Sequence, residues 1–452
     1  MRKMKKILCI ICLAASFLLL AACGDSASSI FSAKNVKFQA GSVPIEGTTD
    51  LTITLESGET ALLDQLPELQ KADFSGSDCV DEIYQWAQAH PNVKVKYTVT
   101  LPDGQVVSNS EQNLELSMLT DSAVSDMVQA LAYLPKLSSI QLGSERNELG
   151  WASVRAIMDA CPNASVSYSF QLYGKEFSTV DTTINLSHIP VEDGGAQVMQ
   201  AMACMPNLVS VDMDSCGVSN EDMAAIRDTY PDVKVIWRVW FGDAYSVRTD
   251  VERILASQPS VGGMLTRDNT EALKYCTDVK YLDIGHNEEL DDISFVAYMT
   301  KLEVAILAMD YWSDATPLAN CTELEYLEMQ TTLCTDLTPL SGLKNLRHLN
   351  VAYIPDLEDI SPLYSLTGLE RLWVGCYNHV PHEQIEQMRA AAPNCEVNDT
   401  VYDDPTGGRW RYVDYNPDAY VFILHPRYIE LREQFGYTKA DFSFCWNDPL
   451  YY

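Results

Sequence analysis

The chain has 452 residues, 63 of them Asp or Glu against 31 Lys or Arg, for a formal charge of -32 at pH 7. That charge repels phosphate backbones and anionic headgroups, which excludes nucleic acid as a partner and leaves no electrostatic route to a lipid surface. A 47% apolar composition can build a large core but not a polytopic membrane protein. Length suggests about three domains, unless repeats extend the core in one dimension.

Arg2, Lys3, Lys5 and Lys6 precede an apolar run at 7–20 that is too short to span a bilayer permanently. The run closes on Leu20-Ala21-Ala22-Cys23-Gly24, which resembles the lipobox of bacterial lipoproteins. The resemblance implies a signal peptide at 1–22, a diacylglycerol on Cys23, and a protein anchored at the extracytoplasmic face of the cell membrane through that lipid only. Residues 23–48 read as the lipidated cysteine and a flexible, Ser- and Ala-rich tether. Of the 13 cysteines, ten remain once Cys9, Cys12 and Cys23 are set aside. No C-x-x-C pair occurs among the ten, which argues against a zinc or thioredoxin-type site. Several occupy apolar repeat positions, so buried thiols are expected rather than bridges.

Residues 49–247 repeat with a period near 70. Leu66-Pro67-Glu68-Leu69, Leu134-Pro135-Lys136-Leu137 and Met205-Pro206-Asn207-Leu208 each lead into an L-x-x-[AIV]-x-[FLM] strand. A helix follows each time, at 81–90, 151–161 and 220–230, and stops at Pro91, Pro162 or Pro231, whose ring cannot continue it. The alternating runs 93–101, 165–172 and 233–241 then meet Asp103-Gly104, Gly174-Lys175 or Gly242-Asp243, the signature of β-hairpins. Each unit opens with a strand-like segment (51–55, 113–117, 183–187), and the helix after it carries Leu62 and Leu66 in the first unit, Met199 and Met202 in the third. This element order resembles helix-containing, ribonuclease-inhibitor-like leucine-rich repeats with an inserted hairpin.

Residues 248–397 change period. Val279, Leu282 and Ile284 recur as Leu302, Ala305 and Leu307, as Leu324, Leu327 and Met329, as Leu346, Leu349 and Val351, and as Leu369, Leu372 and Val374, at steps of 22 or 23 residues. Downstream come Asp292-Ile293-Ser294-Phe295, Asp314-Ala315-Thr316-Pro317-Leu318, Asp336-Leu337-Thr338-Pro339-Leu340 and Asp359-Ile360-Ser361-Pro362-Leu363, where Asp and Pro suit a short 3₁₀ crossing. The L-x-x-L-x-L strand with D-x-[ST]-P-L resembles the internalin class of bacterial leucine-rich repeats over 279–378. The asparagine that class carries after the strand appears as Asn287 but is replaced by Asp310, Thr332, Ile354 and Tyr377, so a weaker turn column is expected. The tail, 398–452, is aromatic and reads as a cap on the last repeat, with a binding role as the other possibility.

The fold class expected is an α/β solenoid: a leucine-rich repeat with a parallel concave sheet, and with helices and hairpins in its N-terminal half. No catalytic or cofactor motif appears, and His379-x-x-His382-Glu383 reads as a helix start rather than a metal site. The outward strand positions are Tyr281 with Asp283, Val304 with Ile306, Tyr326 with Glu328, His348 with Asn350 and Arg371 with Trp373. They stack into a strip whose aromatic and guanidinium groups are typical of interface hot spots. The expected function is therefore non-catalytic binding of a protein or glycan at the cell surface, with Tyr281, Asp283, Tyr326, Glu328, His348, Asn350, Arg371 and Trp373 as contacts and no metal or cofactor. A ligand-free envelope scaffold and, more remotely, a surface hydrolase are the competing readings.

Overall fold

A computed structural model describes residues 34–143, 149–257, 263–375, 378–400, 410–416 and 421–437. The expected signal peptide, the Cys23 lipidation site, Tyr377, Cys376 and Cys445 lie outside these residues. The chain forms two compact units, one from Met1–Glu111 with Gln129–Lys136 and the other from Gln112–Val128 with Leu137–Tyr452.

In the first unit, β1 (Asn35–Phe38) and β2 (Gly41–Pro44) form an antiparallel hairpin. This hairpin lies within 23–48, the stretch expected to hold the tether. The cause is the alternation that buries Val36 and Phe38, together with Glu59, whose side chain accepts from the Gln39 N–H at 2.7 Å. A parallel sheet follows, made of β3 (Asp50–Thr52), β4 (Lys71–Asp73) and β5 (Lys94–Lys96). The segment Thr60–Gln65 is 3₁₀ and buries Leu63 with Leu66 rather than Leu62. Helix α1 (Val80–Ala89) packs Ile83 and Trp86 inward and ends two residues before Pro91, with His90 as its C-cap. The hairpin β6 (Thr98–Thr100) with β7 (Val106–Ser108) completes the unit.

The second unit repeats this order. Parallel β8 (Asn113–Leu116) and β9 (Ser139–Leu142), with α3 (Trp151–Ala160) and with α2 (Val124–Leu131), whose last three residues count with the first unit, lead into β10 (Ser165–Leu172) and β11 (Lys175–Ser178). Next come β12 (Thr183–Asn185), α4 (Ala196–Met202), β13 (Ser210–Asp212), α5 (Asn220–Thr229) and β14 (Lys234–Ile236), then the hairpin β15 (Arg238–Phe241) with β16 (Tyr245–Arg248). The hairpins are less separate than the sequence implies. In β10, Ser165 to Tyr168 pair in parallel with β9, and Ser169 to Leu172 then pair antiparallel with β11. Where the chain passes from sheet to hairpin, a buried aromatic residue recurs: Tyr97, Tyr168 and Trp237. Its N–H is accepted by the side chain of Asn109, Thr179 or Thr249, and its carbonyl takes the N–H of that same residue. This clasp, repeated about every 70 residues, holds the hairpin at the sheet margin.

The 22-residue repeats form a seven-stranded parallel sheet: β17 (Arg253–Leu255), β18 (Tyr281–Asp283), β19 (Val304–Ile306), β20 (Tyr326–Glu328), β21 (His348–Asn350), β22 (Arg371–Trp373) and β23 (Glu396–Asn398). Register is kept throughout, with Ile254, Leu282, Ala305, Leu327, Leu349, Leu372 and Val397 side by side on the core face. A short α6 (Arg267–Thr270) follows β17, and α7 (His382–Ala391) precedes β23 with Glu383 in its first turn, as the sequence led us to expect.

Each D-x-[ST] motif acts as a turn cap. Asp292, Asp314, Asp336 and Asp359 accept from the N–H two residues on at 2.8 to 2.9 Å, and 3₁₀ segments follow at Ser294–Tyr298, Thr316–Asn320, Thr338–Gly342 and Ser361–Ser365. After β18, β19, β20 and β21 a non-glycine residue takes a positive φ: His286, Met309, Thr331 and Tyr353, between 54° and 69°. The next residue ties the turn. Asn287 Oδ1 accepts from Leu265 N at 3.0 Å, Asp310 Oδ1 from Asn287 N at 2.8 Å, and Thr332 Oγ1 donates to Met329 O at 2.9 Å. The column is therefore less broken than its replaced asparagines suggest. Burial holds the Asp310 carboxyl well above the usual carboxylate range, against the pull of the Asn287 N–H. At the last repeat Asn378 Oδ1 accepts from Ile354 N at 3.3 Å. From β18 to β22, parallel strands at a 22- to 23-residue period, joined by 3₁₀ crossings, constitute leucine-rich-repeat architecture.

The tail elements are an antiparallel hairpin, β24 (Tyr412–Asn416) with β25 (Val421–Leu424), and α8 (Pro426–Phe435). His425 caps α8, and Gly436 ends it in the left-handed conformation at φ 62°. Eight cysteines are described, all free thiols; seven are buried and Cys395 is half-buried. Burial pushes Cys276, Cys321 and Cys334 up to about 12, which keeps them inert. No helix among the described residues is long and apolar enough to cross a membrane.

Candidate functional site: the outer face of the seven-stranded sheet

Strand alternation turns the flanking residue on each side of the central apolar position away from the core, and the sheet brings all eight expected contact residues onto one face. They do not face solvent. Glu328 and Asn350 are 0% exposed, Trp373 1%, Tyr326 3%, His348 4%, Asp283 and Arg371 5%; Tyr281 is half-buried. The cover is the described part of the chain's own tail, which lies along this face. Trp410, Tyr412, Leu424, Tyr428, Leu431 and Phe435 form one apolar cluster with Val304, Ile306, Tyr326, Ala352 and Trp373.

The physical reason lies in Glu328. A carboxylate on an apolar face needs a cation and donors, and the tail supplies them. Arg411 Nη2 donates to Glu328 Oε2 at 2.8 Å, Trp410 Nε1 donates to Oε1 at 2.9 Å, and the Tyr326 hydroxyl donates to the same oxygen. Burial works against ionisation of Glu328, but the Arg411 guanidinium and these donors outweigh it and hold the carboxyl below its usual range. Arg411 also lies 5.0 Å over the Tyr428 ring.

On the next repeats Arg371 stands 4.4 Å over the Trp373 ring and 5.4 Å over Trp410, donates to Trp410 O, and pairs with Glu396 at 3.0 Å. His348 lies between Tyr326, Trp410 and His425 at ring distances of 5.7, 6.4 and 5.5 Å. Burial, with His425, Arg371 and Arg427 nearby, pushes its imidazole down to about 3. An ordinary imidazole titrates near pH 6.5; this ring is held neutral through that range.

At the other end the Tyr437 hydroxyl donates to Asp283 Oδ2, and Phe435 meets Tyr281 edge-on at 6.1 Å. Burial raises the Asp283 carboxyl to about 6, against the opposing pull of Tyr437 and Arg411. Arg253 Nη1 donates to Gln434 O at 3.2 Å, anchoring α8 beside β17. Sequence reasoning singled out Trp410, Arg411, Tyr428, Phe435 and Tyr437 as an aromatic tail but assigned them to the end of the array. The unplaced Arg-aromatic motif and the unpaired acid at Glu328 were the signal that could have joined them. Among the described residues no group of three His, Cys, Asp or Glu is placed to hold a metal ion.

No protein-family model and no curated protein matches the sequence. Among solved structures the chain is similar to an internalin (inlF) from Listeria monocytogenes, at 16% identity over 80% of this chain and 86% of that one, with a TM-score of 0.28. It is also similar to internalin C2 from the same organism, at 16% identity over 60% and 91% with a TM-score of 0.26. A third is a leucine-rich-repeat protein of Leptospira interrogans, at 14% identity over 78% and 94% with a TM-score of 0.31. These neighbours are bacterial leucine-rich-repeat proteins, and the same architecture in this chain rests on its own period, register and crossings.

Proposed function

We propose that this is an exported, lipid-anchored leucine-rich-repeat protein that binds a macromolecular partner, a protein in preference to a glycan, on the outer face of the seven-stranded sheet and without catalysis. One observation carries the reading: the face already engages a polypeptide segment through a desolvated carboxylate, a stacked guanidinium and two indoles, the chemistry that dominates protein interfaces. The Leu20 to Cys23 box supports the anchor and the extracytoplasmic location. The test is a pull-down from envelope and host fractions with the full-length protein in detergent, comparing wild type with Glu328→Gln and Arg371→Ala. Capture of a partner that both variants lose supports the reading. Equal capture by all three moves the site elsewhere, and no specific capture by any leaves the scaffold reading in its place.

A further inference from the structure

The tail is covalently part of the chain, yet its seat has the character of a binding groove rather than of a core. The repeats complete their own core on the opposite face, where Leu282, Ala305, Leu327, Leu349 and Leu372 are 0% exposed. They need no tail for that. The tail interface is organised around a buried ion pair and its donors, which confer specificity more than stability. Among the described residues Trp373 Nε1, Gln330 Oε1 and Arg411 Nε are buried with no hydrogen-bond partner. With the tail lifted, Val304, Ile306, Tyr326 and Trp373 would form a contiguous apolar patch, which marks an interaction site.

We infer that this face is a peptide-binding groove, that residues 410–416 and 421–437 are its resident occupant, and that the partner is a polypeptide bearing an arginine flanked by aromatic residues, which takes the place of that segment. The inference rests on the proposed function and names its ligand and its control. The ligand class follows from Glu328. An incoming segment without a guanidinium would leave that carboxylate desolvated and unpaired, and one without aromatic rings would leave the slots beside Tyr326, His348 and Trp373 unfilled. Because the resident segment is covalently part of the chain, its effective concentration is high. A partner therefore meets an apparent affinity reduced by the fraction of molecules in which the groove is open.

The probe is a fluorescent synthetic peptide of residues 407–437, titrated against the full chain. Wild type should bind it weakly. The double variant Trp410→Ala with Arg411→Ala, which disarms the resident segment, should bind it at least about tenfold more tightly, and adding Glu328→Gln should return binding to the wild-type level. A double variant that binds no better than wild type, or that unfolds the repeats by circular dichroism, overturns the inference. Hydrogen exchange on the unmodified protein gives an independent reading. Amides of α8 should exchange at least about tenfold faster than those of β19 to β21, through opening of the tail alone; equal protection makes the tail part of the core and likewise overturns it. Failure here is distinct from failure of the proposed function, which the pull-down decides by whether a captured partner depends on Glu328 and Arg371.

Discussion

Two carboxylates on the outer face occupy opposite electrostatic situations. Glu328 has a guanidinium and stays ionised, while Asp283 has a phenol and is raised to about 6. A carboxyl raised by folding contributes stability that is complete below its ordinary value near 3.8 and is lost as pH rises through 6. His348, depressed to about 3, acts in the reverse sense: its contribution is complete above 6.5 and fades as pH falls toward 3. The two oppose each other between pH 4 and 6, so the wild-type profile hides both. Asp283→Asn separates them by removing one titration and keeping the shape. Its loss of stability between pH 4 and pH 7, from urea unfolding, should be smaller than that of wild type by up to roughly 3 kcal/mol. Identical pH dependence in the two proteins would mean that Asp283 is not desolvated by Tyr437 and its neighbours.

At the scale of one repeat, local devices and core residues carry different loads. Leu349 stands between Leu327 and Leu372 in the register and is wholly buried, so Leu349→Asp would place a carboxylate among neighbouring repeats at a cost of several kcal/mol. The array should then lose its cooperative melt. Thr338 is exposed at the start of its 3₁₀ segment, and the backbone N–H that bonds Asp336 survives substitution, so Thr338→Ala should change stability by less than roughly 0.5 kcal/mol. Thermal unfolding of both variants checks the strand phase; equal losses would contradict it. These elements were legible because their causes are local: the 22-residue period, the Asp two residues before its bonded N–H, and the Pro that fixes the crossing. The 3₁₀ segment at Thr60–Gln65 was not, since nothing within six residues distinguishes its hydrogen bonding from that of a helix.

For the whole molecule, the anchor proposal makes a claim at a single atom. Cys23→Ser should abolish incorporation of labelled fatty acid and leave the protein released or its precursor uncleaved; label retained on the variant would refute the lipobox reading. Anchoring and binding are separable, so this variant should still take the 407–437 peptide as weakly as wild type does. The sequence by itself determined the repeat period, the strand phase, the crossing turns and the gathering of Tyr326, Glu328, His348, Arg371 and Trp373 on one face, because each follows from contacts within one repeat or between adjacent ones. Only the tertiary structure decided what that face meets. Glu328 joins Trp410 across 82 positions and Asp283 joins Tyr437 across 154, and no periodicity encodes a pairing between a regular array and a segment that shares none of its spacing. The desolvation that raises Asp283 and silences His348 belongs to that docking, so their chemistry was set by a contact that local sequence does not contain.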